Sequence, residues 1–503
     1  MPRGRALAFM GSSLAYKHVY EASVQTALDL LNADVRPGDR VGVYLEKSPE
    51  EVYSLFGTSK AGGVFVILNP ALTPEQVEYV AGQSGFRCLI TDPVKVRAVM
   101  PRLKKIKTLA CVMTWSGGRL CTSWVRSGSR KKALRRNRSD LARLPLSGGD
   151  LAAILYTSGS TGAPKGVMLT HQNICLSAHS SAEYLGNQTG DVLMGVLPLS
   201  FDYGLAQLNT AFKMAGTLVL KKFISGEDLM RTVWREKANG LAGIPTLLIP
   251  AVESEAIRSL KFPHLRYLSN SGGRLPVKYF RSLQKLLPHA DIYSMYGFTE
   301  AFRASYLEPS QLARRPDSIG KAIPNARLYV LDERGRECPA GKPGELVQGG
   351  PLVSKGYWNN PEETARKIRQ NPLHQNYDDP VCFSGDTVVK DKEGFLYFLG
   401  RKDQLLKCSG FRLNPDEIEA VLGRHPDIRH AAVAGIPDDL LGHRILAAVT
   451  LRKGSRMEQR LIQEYCRRHL PAYMCPQEIR ILKKMPLTAN GKIDRKALLR
   501  ARA

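Results

Sequence analysis

The stretch Tyr156–Val167, YTSGSTGAPKGV, decides how the rest of the chain is read. Gly159, Gly162 and Gly166 allow positive φ and a close backbone approach to a ligand. Thr157, Ser158, Ser160 and Thr161 supply hydroxyls, and Lys165 supplies a point charge. Such a composition suits a polyphosphate. The preceding apolar run Leu151–Tyr156 (LAAILY) reads as a buried strand, which sets the loop at a strand's carboxyl end, where open α/β sheets bind ligands. Two other readings fit worse. A Walker-type loop carries its lysine directly after the last glycine and follows it with Ser or Thr, whereas Ala163 and Pro164 intervene here and Gly166 follows. A flexible linker needs neither an entering strand nor a lysine at its exit.

Working outward, the pattern VGVYL (41–45), then the helix-like SPEEVYSLFGTSKAGG (48–63), then VFVIL (64–68) predicts βαβ units and a largely parallel sheet. At 503 residues the chain exceeds one hydrophobic core. The expected fold class is α/β: a large amino-terminal domain of parallel-rich sheets layered with helices over 1–402, and a small, mobile α+β carboxy-terminal domain over 403–503. In the latter, PDEIEAVLGRH (415–425) and MEQRLIQEYCRRHL (457–470) are helix-like, and HAAVAGI (430–436) and ILAAVTL (445–451) are strand-like.

Four further segments carry chemistry. YGFTE (296–300) ends the apolar strand ADIYSMY, and an aromatic face with a hard carboxylate suits a base and a phosphate-bound metal. Ser384-Gly385-Asp386 offers a carboxylate that accepts two hydrogen bonds side by side. GRKDQLLKCSGFRLNPDEIE (400–419) and PLTANGKIDRK (486–496) are, taken alone, a charged turn and a hairpin with a solvated lysine. In this order the five segments resemble the AMP-forming adenylating superfamily of acyl-CoA synthetases, peptide-synthetase adenylation domains and luciferases, and the match runs through most of the chain. The resemblance implies that residues 157–162 and Lys165 hold ATP phosphates, Tyr296 stacks on adenine, Thr299 contacts the α-phosphate and Glu300 coordinates magnesium. It further implies that Asp386 and Arg401 hold the ribose, Asp403 is the pivot between domains, Gly410 lines the thiol channel and Lys492 is the catalytic lysine. SNSGGRLP (269–276) resembles the segment whose glycines, Gly272 and Gly273, lie along adenine and the acyl group, and LPLSFDYGLAQ (197–207) resembles the substrate-binding region, with Phe201 and Asp202.

The implied reaction has two halves: a carboxylate attacks ATP to give an acyl adenylate and pyrophosphate, then a thiol displaces AMP. The implied partners are a small carboxylic acid, ATP, Mg2+ and coenzyme A, or the phosphopantetheine of a separate carrier protein, since only Ile493–Ala503 follow the lysine. An acyl-CoA synthetase is expected, with a stand-alone amino-acid-activating enzyme as the alternative and a non-catalytic basic nucleotide- or nucleic-acid-binding module as the remote one. Asp202 bears on this choice. Many acyl-CoA synthetases carry histidine there and amino-activating members carry aspartate, yet Asp is also a favoured helix cap, and both readings stay open. Arg274, Ser294 and Ser384 depart from residues common in those amino-activating members or in the family at large, and they favour the broader synthetase branch.

The net charge is +26, from 72 basic and 46 acidic residues. Arg126, Arg130, Lys131, Lys132, Arg135, Arg136, Arg138 and Arg143 form one basic segment, read as a solvated loop or as a contact for an anionic surface. No nucleic-acid-binding motif lies near it. The nine cysteines are dispersed without a CxxC, as in reduced cytoplasmic proteins. The amino-terminal apolar run is broken by Gly11, Ser12 and Ser13, unlike a signal peptide, and no run is long enough to span a membrane.

Overall fold

The computed structural model describes residues 3–125, 136–158, 164–374, 379–402, 406–408, 411–413, 415–438, 442–471 and 474–500. The βαβ unit expected near residue 41 is present. Strand Arg40–Tyr44 leads to helix Pro49–Lys60, whose first turn is capped by the Ser48 hydroxyl accepting the Glu51 N–H and carries Glu50 and Glu51 beside Pro49. The chain returns in Val64–Ile67, parallel to the first strand with Val41 opposite Phe65. Repetition of this unit gives a seven-stranded sheet in which Cys111–Ser116, Phe86–Thr91, Arg40–Tyr44, Val64–Ile67 and Leu151–Ser158 are parallel, and Arg119–Trp124 and Pro164–Thr170 close the edges antiparallel.

A second sheet of fourteen strands is parallel from Asp291–Tyr296 through Tyr267–Asn270, Gly240–Gly243, Val192–Gly195 and Thr217–Leu220 to Arg5–Phe9. Past Asp291–Tyr296 it becomes antiparallel through Ser305–Leu307, Ser318–Ala322, Leu396–Arg401, Pro380–Lys390, Gly344–Gly349 and Arg327–Leu331. Among the described residues no helix of crossover length separates most of these later strands, and antiparallel pairing is what short connections permit. One core joins the two sheets: Val43 and Ile67 from one and Leu7, Leu218 and Tyr293 from the other pack with Leu30, Leu55 and Leu208 of intervening helices.

The carboxy-terminal region forms its own five-stranded sheet, in which Ile428–Asp438 pairs with Gly442–Leu451 and Glu478–Ile481 adds in parallel. Helices Pro415–Arg424 and Gln459–His469, both expected from the sequence, cover it with Ile418, Leu422 and Ile462 over Val433, Ile445 and Val449. The expected division at 402/403 falls on Asp403, outside the described residues. All nine cysteines are free thiols. Among the described residues no helix is long and apolar enough to cross a membrane.

Candidate active site

The described ends of the phosphate-loop stretch belong to two antiparallel strands. Strand Leu151–Ser158 runs two residues beyond the apolar run and returns as Pro164–Thr170, with Thr157 opposite Lys165 and Ser158 opposite Pro164. Gly159, Ser160, Thr161 and Gly162 lie outside the described residues. Gly166 corrects one expectation: it is absent from the positive-φ glycines, and a Cβ there would strike Ile154 Cγ2 at 2.6 Å. Its small size serves packing within the protein rather than a ligand. Lys165 Nζ lies 2.9 Å from Glu363 Oε1 and 5.9 Å from the Tyr357 ring centre. Burial raises the Glu363 carboxyl, but hydrogen bonds from Arg366 and Lys165 outweigh it and hold the group below its ordinary value.

At the end of strand Asp291–Tyr296 the Tyr296 hydroxyl donates to Asp386 Oδ2, and Asp386 sits opposite Arg401 in the neighbouring strand pair, with Arg401 Nε 3.5 Å from Oδ1. Burial, then the Asp386 charge, pushes the Tyr296 phenol well above its ordinary value, so it stays a donor. Ser384 Oγ donates to the Leu346 carbonyl at 2.7 Å and accepts the Asp386 N–H at 3.0 Å, and Gly385 takes φ +80°. The hydroxyl thus fixes the turn that presents Asp386, a task either Ser or Thr can perform. Tyr357 donates to Glu300 Oε1, and Thr299 Oγ1 donates to Asp202 Oδ2 at 2.8 Å.

Asp202 is the first residue of helix Asp202–Lys213, and the cap position falls to Phe201. The capping reading is therefore shifted by one residue. A carboxylate in the first turn still favours the helix dipole, and Asp202 Oδ1 accepts the Tyr203 N–H at 2.6 Å. Both carboxylate oxygens are engaged within the protein.

Across from these groups lies the lysine hairpin. Thr488 and Lys492 bond to each other across a turn at Gly491, φ +78°, so the hairpin read from Asn490-Gly491 does form. It is also docked on the large body. Thr246 Oγ1 donates to the Gly491 carbonyl at 2.8 Å, and Asn69 Nδ2 donates to the Ala489 carbonyl and to Asn490 Oδ1, each at 3.0 Å. Lys492 Nζ consequently stands 5.0 Å from the Phe201 ring centre. Gly272, at φ +71°, leaves the room for this: a Cβ there would lie 3.1 Å from Ile244 Cγ2, 3.4 Å from Phe201 Cζ and 3.5 Å from Lys492 Cε. Gly273 lies against Pro245.

The structure thus brings together Phe201, Gly272 and Lys492, links Asp202 with Thr299, and links Tyr296 with Asp386 and Arg401. Asp403 and Gly410 lie outside the described residues, as does 126–135 of the basic segment. Arg274 faces outward in an ion pair with Asp317. Sequence reasoning missed Asn69, Thr246, Tyr357, Glu363 and Arg303. The last follows Phe302, which adopts φ +60° and ψ −41°, with the Arg303 N–H donating to the Ala301 carbonyl at 2.7 Å. This is a γ-turn at a bulky residue, a strain on the order of 1–3 kcal/mol. Its only signal in the sequence was proximity to YGFTE.

For magnesium the donor set is the test. Among the described residues no group of three His, Cys, Asp or Glu gathers to cage a metal. A single hard carboxylate, Glu300, beside the position expected for phosphates suits an ion that keeps waters and binds through substrate oxygens.

A two-sheet α/β body, polar residues at its strand ends and a lysine hairpin carried over them from a separate small sheet define the AMP-forming ligase fold. The chain belongs to the AMP-binding enzyme family, which matches residues 1–358, and the AMP-binding enzyme C-terminal domain matches residues 417–492. It is 28% identical to a long-chain-fatty-acid–CoA ligase of Bacillus subtilis, over 99% of this chain and 92% of that one. It is 30% identical to bacitracin synthase 1 of Bacillus licheniformis, where 99% of this chain spans 9% of the synthase. Among solved structures, ATP-bound MatB from Rhodopseudomonas palustris is similar over 99% of this chain and 95% of that one, with 27% identity and a TM-score of 0.86, whereas its apo form gives 0.74. The o-succinylbenzoate CoA synthetase of Bacillus subtilis with ATP and magnesium covers 99% of this chain and 97% of its own, at 26% identity and a TM-score of 0.82.

Proposed function

We propose that this protein activates a carboxylic acid with ATP as its acyl adenylate and passes the acyl group to coenzyme A, with Lys492 as the catalytic cation of the first half. The docking of Lys492 beside Phe201 and Gly272 carries this reading. The better likeness to an ATP-bound than to an apo relative supports the same arrangement.

In the first half an oxygen of the carboxylate forms a bond to the α-phosphorus while the bond to the pyrophosphate oxygen breaks. Negative charge accumulates at a crowded centre, and a positioned ammonium and hydroxyl, Lys492 and Thr299, offset it. Tyr296, Asp386 and Arg401 hold adenine and ribose, and Lys165 with residues 157–162 takes the outer phosphates. Magnesium, when bound, neutralises phosphate charge, with Glu300 as its protein ligand. In the second half the thiol sulfur attacks the acyl carbon, the carbon–oxygen bond breaks and AMP leaves. For that step the small domain, 403–503, turns about Asp403, Lys492 withdraws and Gly410 comes to the thiol path.

The engaged state of Asp202 supports a plain acid over an amino acid. Its oxygens already accept two hydrogen bonds, so a substrate ammonium is not needed to satisfy it. Acid-dependent exchange of labelled pyrophosphate into ATP, across fatty, aryl, dicarboxylic and amino acids, tests the reading. Exchange with non-amino acids, followed by CoA-dependent thioester release, is expected. Exchange confined to amino acids would replace this reading with the amino-activating one.

A further inference from the structure

We propose that the acid activated here carries a second carboxylate, and that Arg303 receives it. The inference rests on the acid–CoA ligase reading of the same site. Arg303 is 7% exposed, and its guanidinium carbon lies 4.6 Å from the centre of the Tyr203 ring. Among the described residues no carboxylate comes within ion-pair reach of it. This is not how the chain treats a buried guanidinium elsewhere. Arg315, also 7% exposed, is paired with Asp391 at 3.7 Å and with Glu393, and even the half-buried Arg495 is paired with Asp416 at 2.9 Å and Glu419 at 2.7 Å. A buried charge without a counter-charge is unfavourable unless something else supplies one.

Tyr203 cannot supply it. Burial pushes its phenol upward despite the charge of Arg303 and a hydrogen bond from it, so the phenol stays neutral, and its Oη also meets Ser269 Oγ at 2.7 Å. The ring face offsets part of the desolvation but adds no net charge. Nor does Asp202 turn to Arg303, since its oxygens go to Tyr203 N and Thr299. The arginine is also held in place from behind. The γ-turn at Phe302 reverses the chain just before it, and the buried Gln348 amide donates to the carbonyls of Ala301 and Arg303 at 3.3 and 2.7 Å. A strained turn locked by a buried amide fixes where Arg303 emerges.

The position matches a substrate's far end. Lys492 stands 5.0 Å from the Phe201 ring, that ring is 6.4 Å from Tyr203, and Arg303 covers Tyr203. An aromatic row therefore separates two cations, one where the reacting carboxylate meets phosphorus and one left for an anion further along the acyl group. A guanidinium grips a carboxylate through two parallel hydrogen bonds, which a methyl end or an ester cannot return.

The test uses the full chain in pyrophosphate exchange, with straight-chain α,ω-dicarboxylic acids each set against its monomethyl ester and the monocarboxylic acid of equal length. The best diacid is expected to exceed both controls in kcat/KM by about 10²-fold or more, because a site built for a polar group rejects the analogue lacking it. Arg303→Met is expected to collapse that ratio toward unity through KM for the diacid, and Arg303→Lys to restore part of it, while the thermal shift given by ATP stays as in the parent. Should Arg303→Met fail to fold, the parent's ratio decides alone. Monocarboxylic acids or esters equalling the best diacid would overturn the inference and leave the ligase reading standing. An absence of exchange with every acid would overturn both.

Discussion

The two sides of the cleft treat their charges differently. On the side assigned to the nucleotide, Lys165 is paired with Glu363, Asp386 with Tyr296 and Arg401, and Glu300 with Tyr357. On the acyl side, Lys492 and Arg303 lie over aromatic rings, and neither has a carboxylate in reach among the described residues. Partners on the nucleotide side hold the site in shape before ligand arrives, and ATP must exchange with some of them. Cations on the acyl side are left for charge that only the substrate or the transition state brings. Binding energy realised late accelerates the reaction more than binding realised early.

Substitutions break this contrast in different ways. Lys492→Ala is expected to lower acid-dependent pyrophosphate exchange about 10²–10³-fold, the scale of losing one positioned stabilising group, while thioester formation from a supplied acyl adenylate stays near the parent's rate. A fall in both halves would place Lys492 in general structure instead. Asp386→Ala removes a charged acceptor on the nucleotide side and should raise KM for ATP about 10- to 30-fold with a smaller change in kcat, measured by the same exchange at varied ATP.

The third prediction concerns the seam that brings the lysine across. There Lys278 donates to the carbonyls of His425 and Ile428, and Arg429 meets Glu253 at 2.9 Å. Burial, and next Arg429, depress the His430 imidazole from 6.5 to about 4. Between those values the unfolded chain binds the proton and the native one does not, so stability is full above about pH 6.5 and is lost as pH falls toward 4. Urea titrations should show about 1.2 kcal/mol of this loss between pH 7 and 5.5, and His430→Gln should remove it. The smallest effect is expected of Thr246→Ala or Asn69→Ala. Each deletes hairpin-docking hydrogen bonding worth about 0.5–1 kcal/mol, which should slow adenylation about 2- to 5-fold and leave the thioester half alone in single-turnover measurements.

What the sequence revealed follows from what each feature depends on. Helices Pro415–Arg424 and Gln459–His469 and the strands between them were legible because apolar periodicity is local. The polar clusters at strand ends were legible as motifs, and their order carried the family. The antiparallel half of the large sheet was not, because pairing partners are set by connection and packing rather than by any one strand's residues. Arg303 was invisible for a similar reason: one arginine among 72 basic residues acquires meaning only when its missing partner is seen. Gly166 was misread because glycine serves close packing as readily as positive φ, and only the contact with Ile154 tells which.

The central claim is that the carboxylate itself attacks the α-phosphorus, and isotope transfer tests it most directly. With the best acid labelled by 18O in its carboxylate, and with ATP and coenzyme A present, one labelled oxygen should appear in the AMP released. Label recovered in inorganic phosphate, with ADP as the nucleotide product and none in AMP, would contradict the account.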